Sequence, residues 1–148
     1  AIADVRTLSH QMMPNMLIKN SLANALRDLI EKTSTPKLAV NLQIEGLEKE
    51  VDQNIQVTLY RIIQECINNT VKHSGADKID ISVIQSYKKI TTEIKDNGKG
   101  FNPLKISENK DGIGLQNMKA RIEMLKGKMR IDSAADRGTQ VFIEIPIV

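Results

Sequence analysis

Two pairs of short segments with alternating apolar residues constrain the fold of this chain more than any other feature. Residues 79–84 and 90–94 form one pair, and residues 129–133 and 139–148 form the other. Alternation with a period of two is typical of strands that have one buried face. Connections as short as those within each pair join antiparallel neighbours. The pattern therefore predicts a sheet built largely from hairpins.

Helical periodicity of the apolar residues indicates the other elements. It appears in four segments, which are residues 2–13, 17–30, 53–73 and 115–126. Residues 38–44 alternate instead and predict one more strand, and Asp52 is the expected N-cap of the third helix. This order predicts an α+β fold, a two-layer α/β sandwich in which helices cover one face of a mixed, mostly antiparallel sheet.

The composition excludes several classes of protein. No run of about 18 apolar residues exists, so no membrane contact by this segment is predicted. Asp4 and Arg6 interrupt the apolar stretch that a signal peptide needs. Aromatic residues are 3% and the net charge is +3, with scattered basic residues, so no nucleic-acid partner is predicted. Cys66 is the only cysteine, which fits a reducing compartment and predicts a buried structural thiol.

A polar stripe runs along the long helix. Arg61, Glu65 and Asn69 recur every four residues, and Lys72 continues the same face. One interpretation is a solvated face with an Arg61–Glu65 ion pair. The other makes Asn69 a Mg²⁺ ligand, Lys72 or His73 a phosphate partner and Glu65 a proton acceptor. The apolar residues of this helix are predicted to pack on the sheet: Leu59, Ile62, Ile63, Cys66, Ile67 and Val71.

The segment Asp96-Asn97-Gly98-Lys99-Gly100 follows a predicted strand. Taken alone, its Asp-Asn-Gly run is a signal for a hairpin turn. Alternatively, Asp96 accepts a hydrogen bond from the exocyclic amine of adenine, while Gly98 and Gly100 let main chain close over the ring. The polar stretch 98–112 is unlike the return strand of a hairpin, and a loop of this length is predicted to be functional.

Two further glycine motifs are weak signals by themselves. Gly112 and Gly114 lead into a helix predicted to begin near Leu115, and backbone N–H groups at such a positive helix end suit phosphates. The common phosphate-loop motif is absent. Gly138 precedes Thr139 at the start of the last strand, which is either ordinary strand chemistry or places the Thr139 hydroxyl near a base edge.

As a set, these motifs resemble the ATP-binding domain shared by sensor histidine kinases, gyrase, Hsp90 and MutL. Residues 65–73 resemble its N box, residues 96–100 and 112–115 its two glycine boxes, and Gly138-Thr139 its late threonine motif. The resemblance covers about residues 36–148. Within that superfamily, the pattern E-x-x-x-N-x-x-K-H over residues 65–73 and the run G-I-G-L-Q-N-M-K-A-R over residues 112–121 are similar to the nitrate-sensor and DesK-type histidine kinases.

The resemblance implies a Bergerat-type fold that binds ATP and Mg²⁺. It implies that Asn69 ligates Mg²⁺, that Asp96 recognises adenine, and that the turn over residues 112–115 contacts phosphates. It also implies that Glu65 is the catalytic base for transfer to a histidine. Further nucleotide-binding positions are Lys72, His73, Gly98, Gly100, Gly112, Gly114, Leu115 and Thr139.

The resemblance also implies a domain order. Residues 1–14 resemble the end of a dimerisation helix, residues 15–35 a linker helix, and residues 36–148 the catalytic domain. His10 is followed by Gln11 instead of an acid, so the phosphoacceptor histidine is expected on a helix outside this chain. The implied partners are the dimerisation and phosphoacceptor domain of the same protein, as a homodimer, and a response regulator. The resemblance implies that the domain lies in the cytoplasm. It leaves open whether the full-length protein carries a membrane anchor.

Two other functions remain open from the sequence. In the first, an ATPase of the same fold uses Glu65 to activate water. In the second, a degenerate nucleotide-binding module docks other proteins without chemistry. Steady ATP turnover by this chain alone would favour the first, and nucleotide binding without phosphoryl transfer would favour the second.

Overall fold

The computed structural model describes residues 21–47, 51–100, 110–134 and 136–147. The predicted helix over residues 2–13 and most of the predicted loop over residues 98–112 lie outside these ranges. The side chains of His73 and Leu115 also lie outside the described part of the chain.

A five-stranded sheet forms one layer of the molecule. Its strands are β1 (Ala39–Glu45), β2 (Lys78–Gln85), β3 (Lys89–Asp96), β4 (Lys128–Ser133) and β5 (Thr139–Pro146). They lie in the order β1-β2-β3-β5-β4. β1 pairs with β2 in parallel, and the other three pairs are antiparallel. The predicted mixed, mostly antiparallel sheet is therefore confirmed, and both predicted hairpins form.

Helices form the second layer. They are α1 (Leu22–Thr33), α2 (Gln53–Asn69) and α3 (Lys110–Met124), and a π-helical turn (Thr70–Ser74) extends α2. The predicted N-cap of α2 is confirmed, because Asp52 accepts a hydrogen bond of 2.8 Å from the Asn54 N–H. Gly75 follows the π-helical turn in the left-handed region, with φ of 66°, and ends the helical segment.

The core lies between the helices and one face of the sheet. Alternate residues of β3 point into it, and the buried ones are Ile90, Thr92, Ile94 and Asp96. Five of the residues predicted to pack from α2 are buried there: Leu59, Ile62, Ile63, Cys66 and Ile67. Leu22, Ala25 and Leu26 of α1 belong to the same cluster.

Two expectations about the helices were wrong in detail. Val71 is 58% exposed instead of packing on the sheet. It lies in the π-helical turn, where each turn takes more residues than in an α-helix, so the apolar spacing of α2 no longer applies.

The predicted start of the last helix was also wrong, because α3 begins at Lys110 and not near Leu115. Glycine costs a helix about 1 kcal/mol relative to alanine, which disfavours helical backbone without forbidding it.

Candidate functional site

Asp96 is a buried carboxylate at the end of β3. Its side chain is only 8% exposed and faces the helical layer. Oδ1 accepts a hydrogen bond of 2.8 Å from the Gly98 N–H, and Oδ2 lies 3.2 Å from the Thr70 hydroxyl. A carboxylate offers about four acceptor positions, so two such contacts fix its plane and leave capacity for a ligand.

Thr70 connects the long helical segment to this carboxylate. Its hydroxyl lies 2.9 Å from the Cys66 carbonyl oxygen and 3.2 Å from Asp96 Oδ2, and the residue is buried. The hydroxyl has one proton, so at any moment it donates to one of these two oxygens. Sequence analysis missed Thr70, because a threonine inside a helical pattern carries no signal of a partner 26 positions away.

The side chain of Asn97 holds the segment after Asp96 against the start of β2. Its Oδ1 accepts hydrogen bonds of 3.1 Å from the N–H groups of Asp77 and Lys78. Its Nδ2 donates to Asp77 Oδ1 at 2.6 Å. Asn97 therefore has a structural role, which the Asp-Asn-Gly signal alone did not distinguish from that of a turn residue.

Two glycines allow close packing between the segment 96–100 and the turn before β5. Gly100 has φ of 69°, and a Cβ there would overlap the Ala134 carbonyl oxygen. Gly138 has φ of 77°, and a Cβ there would overlap the Asp96 carbonyl oxygen. The Lys99 carbonyl also accepts a hydrogen bond from the Asp136 N–H. These positions require glycine for packing, whatever else they contact.

Thr139 lies directly across from Asp96 in the β3–β5 ladder. Its Oγ1 is 2.8 Å from Ser133 Oγ, which also donates to the Gly138 carbonyl at 3.1 Å. A cavity of about 380 Å³ opens here, within the range of small-molecule sites. Its lining is Lys95, Asp96, Ile131, Asp132, Ser133, Ala134, Arg137, Gly138, Thr139 and Gln140.

The polar stripe of α2 leads to the same region but does not line this cavity. Glu65 and Asn69 are half-buried, whereas Asn68 and Lys72 are exposed. Asn69 immediately precedes Thr70, so it lies one residue from the contact with Asp96. The structure thus brings Asp96, Gly98, Gly100 and Thr139 together, with the end of the stripe adjacent to them.

The Cys66 thiol is inert in this site. Burial, together with the smaller effect of the negative charges of Glu65 and Asp96, raises its pKa to about 12. A thiol that stays protonated is neither a nucleophile nor a metal ligand. The predicted buried structural thiol is confirmed.

The residues present fit a magnesium nucleotide. Among the described residues, no three His, Cys, Asp or Glu side chains converge on one point, so no all-protein metal cage exists there. Mg²⁺ keeps several waters and takes few protein ligands besides phosphate oxygens, which one carboxamide such as Asn69 suits. The acceptor capacity left on Asp96 suits the amine of a purine.

The predicted phosphate motif lies within α3. Gly112 and Gly114 have helical backbone, because the helix starts before them. The turn that was expected to precede the helix is thus absent from the described part of this motif. The first four N–H groups of a helix have no partner within the helix, so the start of α3 still presents donors at its positive end.

Comparison with known proteins identifies the family. The model of the histidine kinase-, DNA gyrase B- and HSP90-like ATPase family matches residues 54–148, and the chain belongs to this family. The matched range contains the stripe on α2, Asp96 and Thr139. The resemblance that the sequence motifs indicated is therefore confirmed, and the family supports ATP as the ligand.

The curated relatives of the chain are sensor kinases. The chain is 32% identical over 147 residues to the sensor histidine kinase ComP of Bacillus subtilis. The match covers 99% of this chain and 19% of that protein. It is 31% identical to the oxygen sensor histidine kinase NreB of Staphylococcus carnosus, again over 99% of this chain and 42% of the relative. The chain thus spans less than half the length of these relatives.

Solved structures confirm the fold. The histidine kinase domain of the blue-light activated kinase from Erythrobacter litoralis EL346 superposes with a TM-score of 0.65 at 16% identity, covering 85% of this chain and 59% of that chain. The mycobacterial sensor histidine kinase MprB superposes with a TM-score of 0.60 at 20% identity, and the match covers 86% of this chain and 92% of that chain.

Within the described residues, no helix has the length and apolarity to span a bilayer.

Proposed function

We propose that this chain is the ATP-binding catalytic domain of a two-component sensor histidine kinase, which transfers the γ-phosphoryl group of ATP to a histidine. The names of the curated relatives and the family match support this proposal. The observation that carries it is the buried Asp96 carboxylate, held by two donors at the end of β3 and directly across the ladder from Thr139.

In this proposal Asp96 recognises the purine. Its carboxylate is fixed by Thr70 and the Gly98 N–H before any ligand arrives, so its acceptor positions need no reorganisation. Gly98 and Gly100 permit the close approach of main chain to the ring. Thr139, across the ladder from Asp96, contacts the base edge with its hydroxyl.

The stripe on α2 acts on the phosphates. Asn69 supplies one oxygen ligand to Mg²⁺, and Lys72 and His73 neutralise phosphate charge. Glu65 lies one helical turn before Asn69 and accepts the proton of the attacking group. Bound ATP supplies the transferred group, so the residues of the chain contribute positioning and charge neutralisation. Gly112, Gly114 and Leu115 contact phosphates in this proposal, and of these only Gly112 lies among the first four residues of α3, whose N–H groups have no partner within the helix.

The partners and domain order follow from the same proposal. Residues 1–14 end a dimerisation helix, residues 15–35 link it to the catalytic domain, and residues 36–148 form that domain. The acceptor histidine belongs to a dimerisation domain of the same protein, which acts as a homodimer, and a response regulator receives the phosphoryl group. The domain works in the cytoplasm.

The test combines the chain with a separately produced dimerisation segment of the same protein and ATP labelled at the γ-phosphate. The expected product is an acid-labile phosphohistidine on that segment, formed only when Mg²⁺ is present. Steady ATP turnover without the segment would instead favour a hydrolase, with Glu65 activating water. Nucleotide binding without labelling of the segment would favour the docking module.

A further inference from the structure

We infer that Thr70 is a positioning residue that sets the preference of this site for adenine. This inference rests on the proposed function, since it concerns how Asp96 is presented to the purine. Thr70 is 6% exposed, and its hydroxyl lies 3.2 Å from Asp96 Oδ2. Nothing in the motif pattern assigns a role to this position, which lies directly after the proposed metal ligand Asn69.

The two oxygens of Asp96 are held from two different elements. The Gly98 N–H, in the segment after β3, fixes Oδ1 at 2.8 Å. Thr70, in the π-helical turn after α2, fixes Oδ2. With one donor alone the carboxylate is free to rotate about its Cβ–Cγ bond. With both donors its plane is defined, and a ligand amine at one position beside the carboxylate is selected over other groups.

The position of Thr70 at the C-terminal end of α2 allows its hydroxyl to reach Asp96. The hydroxyl of a threonine in a helix can donate to the carbonyl oxygen four residues earlier. The Thr70 Oγ1 lies 2.9 Å from the Cys66 carbonyl oxygen. From this position Oγ1 also lies 3.2 Å from Asp96 Oδ2 on β3, so the single proton has two acceptors. When a ligand amine donates to Asp96, the Thr70 proton has the Cys66 carbonyl as its other acceptor, and no buried group loses all partners.

The experiment compares the affinities for ATP and inosine triphosphate, which carries a carbonyl in place of the amine. In the 148-residue chain, Thr70→Val removes the hydroxyl at nearly constant volume. We expect it to weaken ATP binding about tenfold, the size of one lost hydrogen bond to a charged group. Inosine triphosphate binding should change little, so the preference for adenine falls by the same factor. Thr70→Ser keeps the hydroxyl and should retain the preference.

Thr92→Val is the matched control. Thr92 is a fully buried threonine on the same face of β3, about 13 Å from Asp96, and its hydroxyl has no partner. This change should leave both affinities within about twofold, as for an ordinary neutral substitution. If Thr70→Val does not fold, Thr70→Cys takes its place, because a thiol is only a weak donor. It is judged by the same quantity, the ratio of the affinities for ATP and inosine triphosphate.

The outcomes separate the two proposals. If the unmodified chain does not bind ATP, the proposed function fails. If the unmodified chain prefers ATP and Thr70→Val preserves that preference, only the role of Thr70 is overturned. An equal loss of affinity for both nucleotides would also overturn it, because a merely structural contribution would produce that result.

Discussion

The backbone of Gly138 packs against the carbonyl oxygen of Asp96, at the point where β3 and β5 begin to diverge. Gly138 has φ of 77° and is buried, so the turn before β5 is built around the residue that carries the candidate purine contact. The position of the Asp96 main chain therefore depends on the absence of a side chain at Gly138, in the turn before β5.

Gly138→Ala should destabilise the chain and weaken nucleotide binding. The left-handed backbone costs alanine about 1–2 kcal/mol, and the overlap with Asp96 adds about 1–3 kcal/mol more. Gly75→Ala is the control, because Gly75 also has positive φ but its Cβ would meet only Lys99 Cε, at 3.7 Å. Denaturant unfolding measures both variants. Equal losses of unfolding free energy would show that the contact with Asp96 is unimportant.

Asp96→Asn should weaken ATP binding about 10- to 100-fold, because the amide retains one acceptor and places a donor where Oδ2 now accepts. The exposed Asp80, which accepts a hydrogen bond of 3.0 Å from Asn41 on the sheet, provides the matched Asp→Asn control. Calorimetric titration with ATP compares the two. Unchanged affinity in Asp96→Asn would remove the purine role of Asp96.

Asn69→Ala should abolish most of the increase in ATP affinity that Mg²⁺ produces. Asn68→Ala is the control, since Asn68 is adjacent but exposed and points about 100° away on the helix. Titrations with ATP in the presence and absence of Mg²⁺ give, for each variant, the ratio of the two ATP affinities. If Mg²⁺ strengthens binding equally in Asn69→Ala and in the unmodified chain, another residue holds the metal.

The stability of the chain should fall at alkaline pH because of Cys66. Its pKa is about 12 in the folded chain, above the ordinary value of a thiol, so the unfolded chain releases this proton first as pH rises. From about pH 9 to 12, this residue alone should lower the unfolding free energy by about 1.4 kcal/mol per pH unit. Denaturant unfolding at pH 8 and 10.5 measures the difference, and Cys66→Ala should show a smaller decline. An identical decline in the variant would exclude the thiol as its source.

The local features of the fold were predictable from short-range chemistry. The Asp52 cap and the alternating strands each depend on neighbours within a few residues, and each is confirmed. The burial of α2 was predicted up to the π-helical turn. Beyond it the prediction for Val71 was wrong, because periodicity assumes a constant number of residues per turn.

The candidate site was predictable only in part, because its contacts join distant segments. Asp96 and Thr139 belong to recognisable motifs, but their direct pairing depends on β5 lying between β3 and β4. No local pattern specifies that strand order. The roles of Thr70 and Asn97 depend on partners 26 and 20 positions away, respectively, and required the folded arrangement.

The parallel pairing of β1 with β2 has a consequence for how the site responds to ligands. Two parallel neighbours need a crossover, and here α2 with its π-helical turn is that crossover. Both ends of the segment are thus connected to adjacent strands of one sheet. A shift of this crossover would therefore move Asn69 and Thr70 together relative to Asp96, and the hydrogen bond from Thr70 to Asp96 would report that shift.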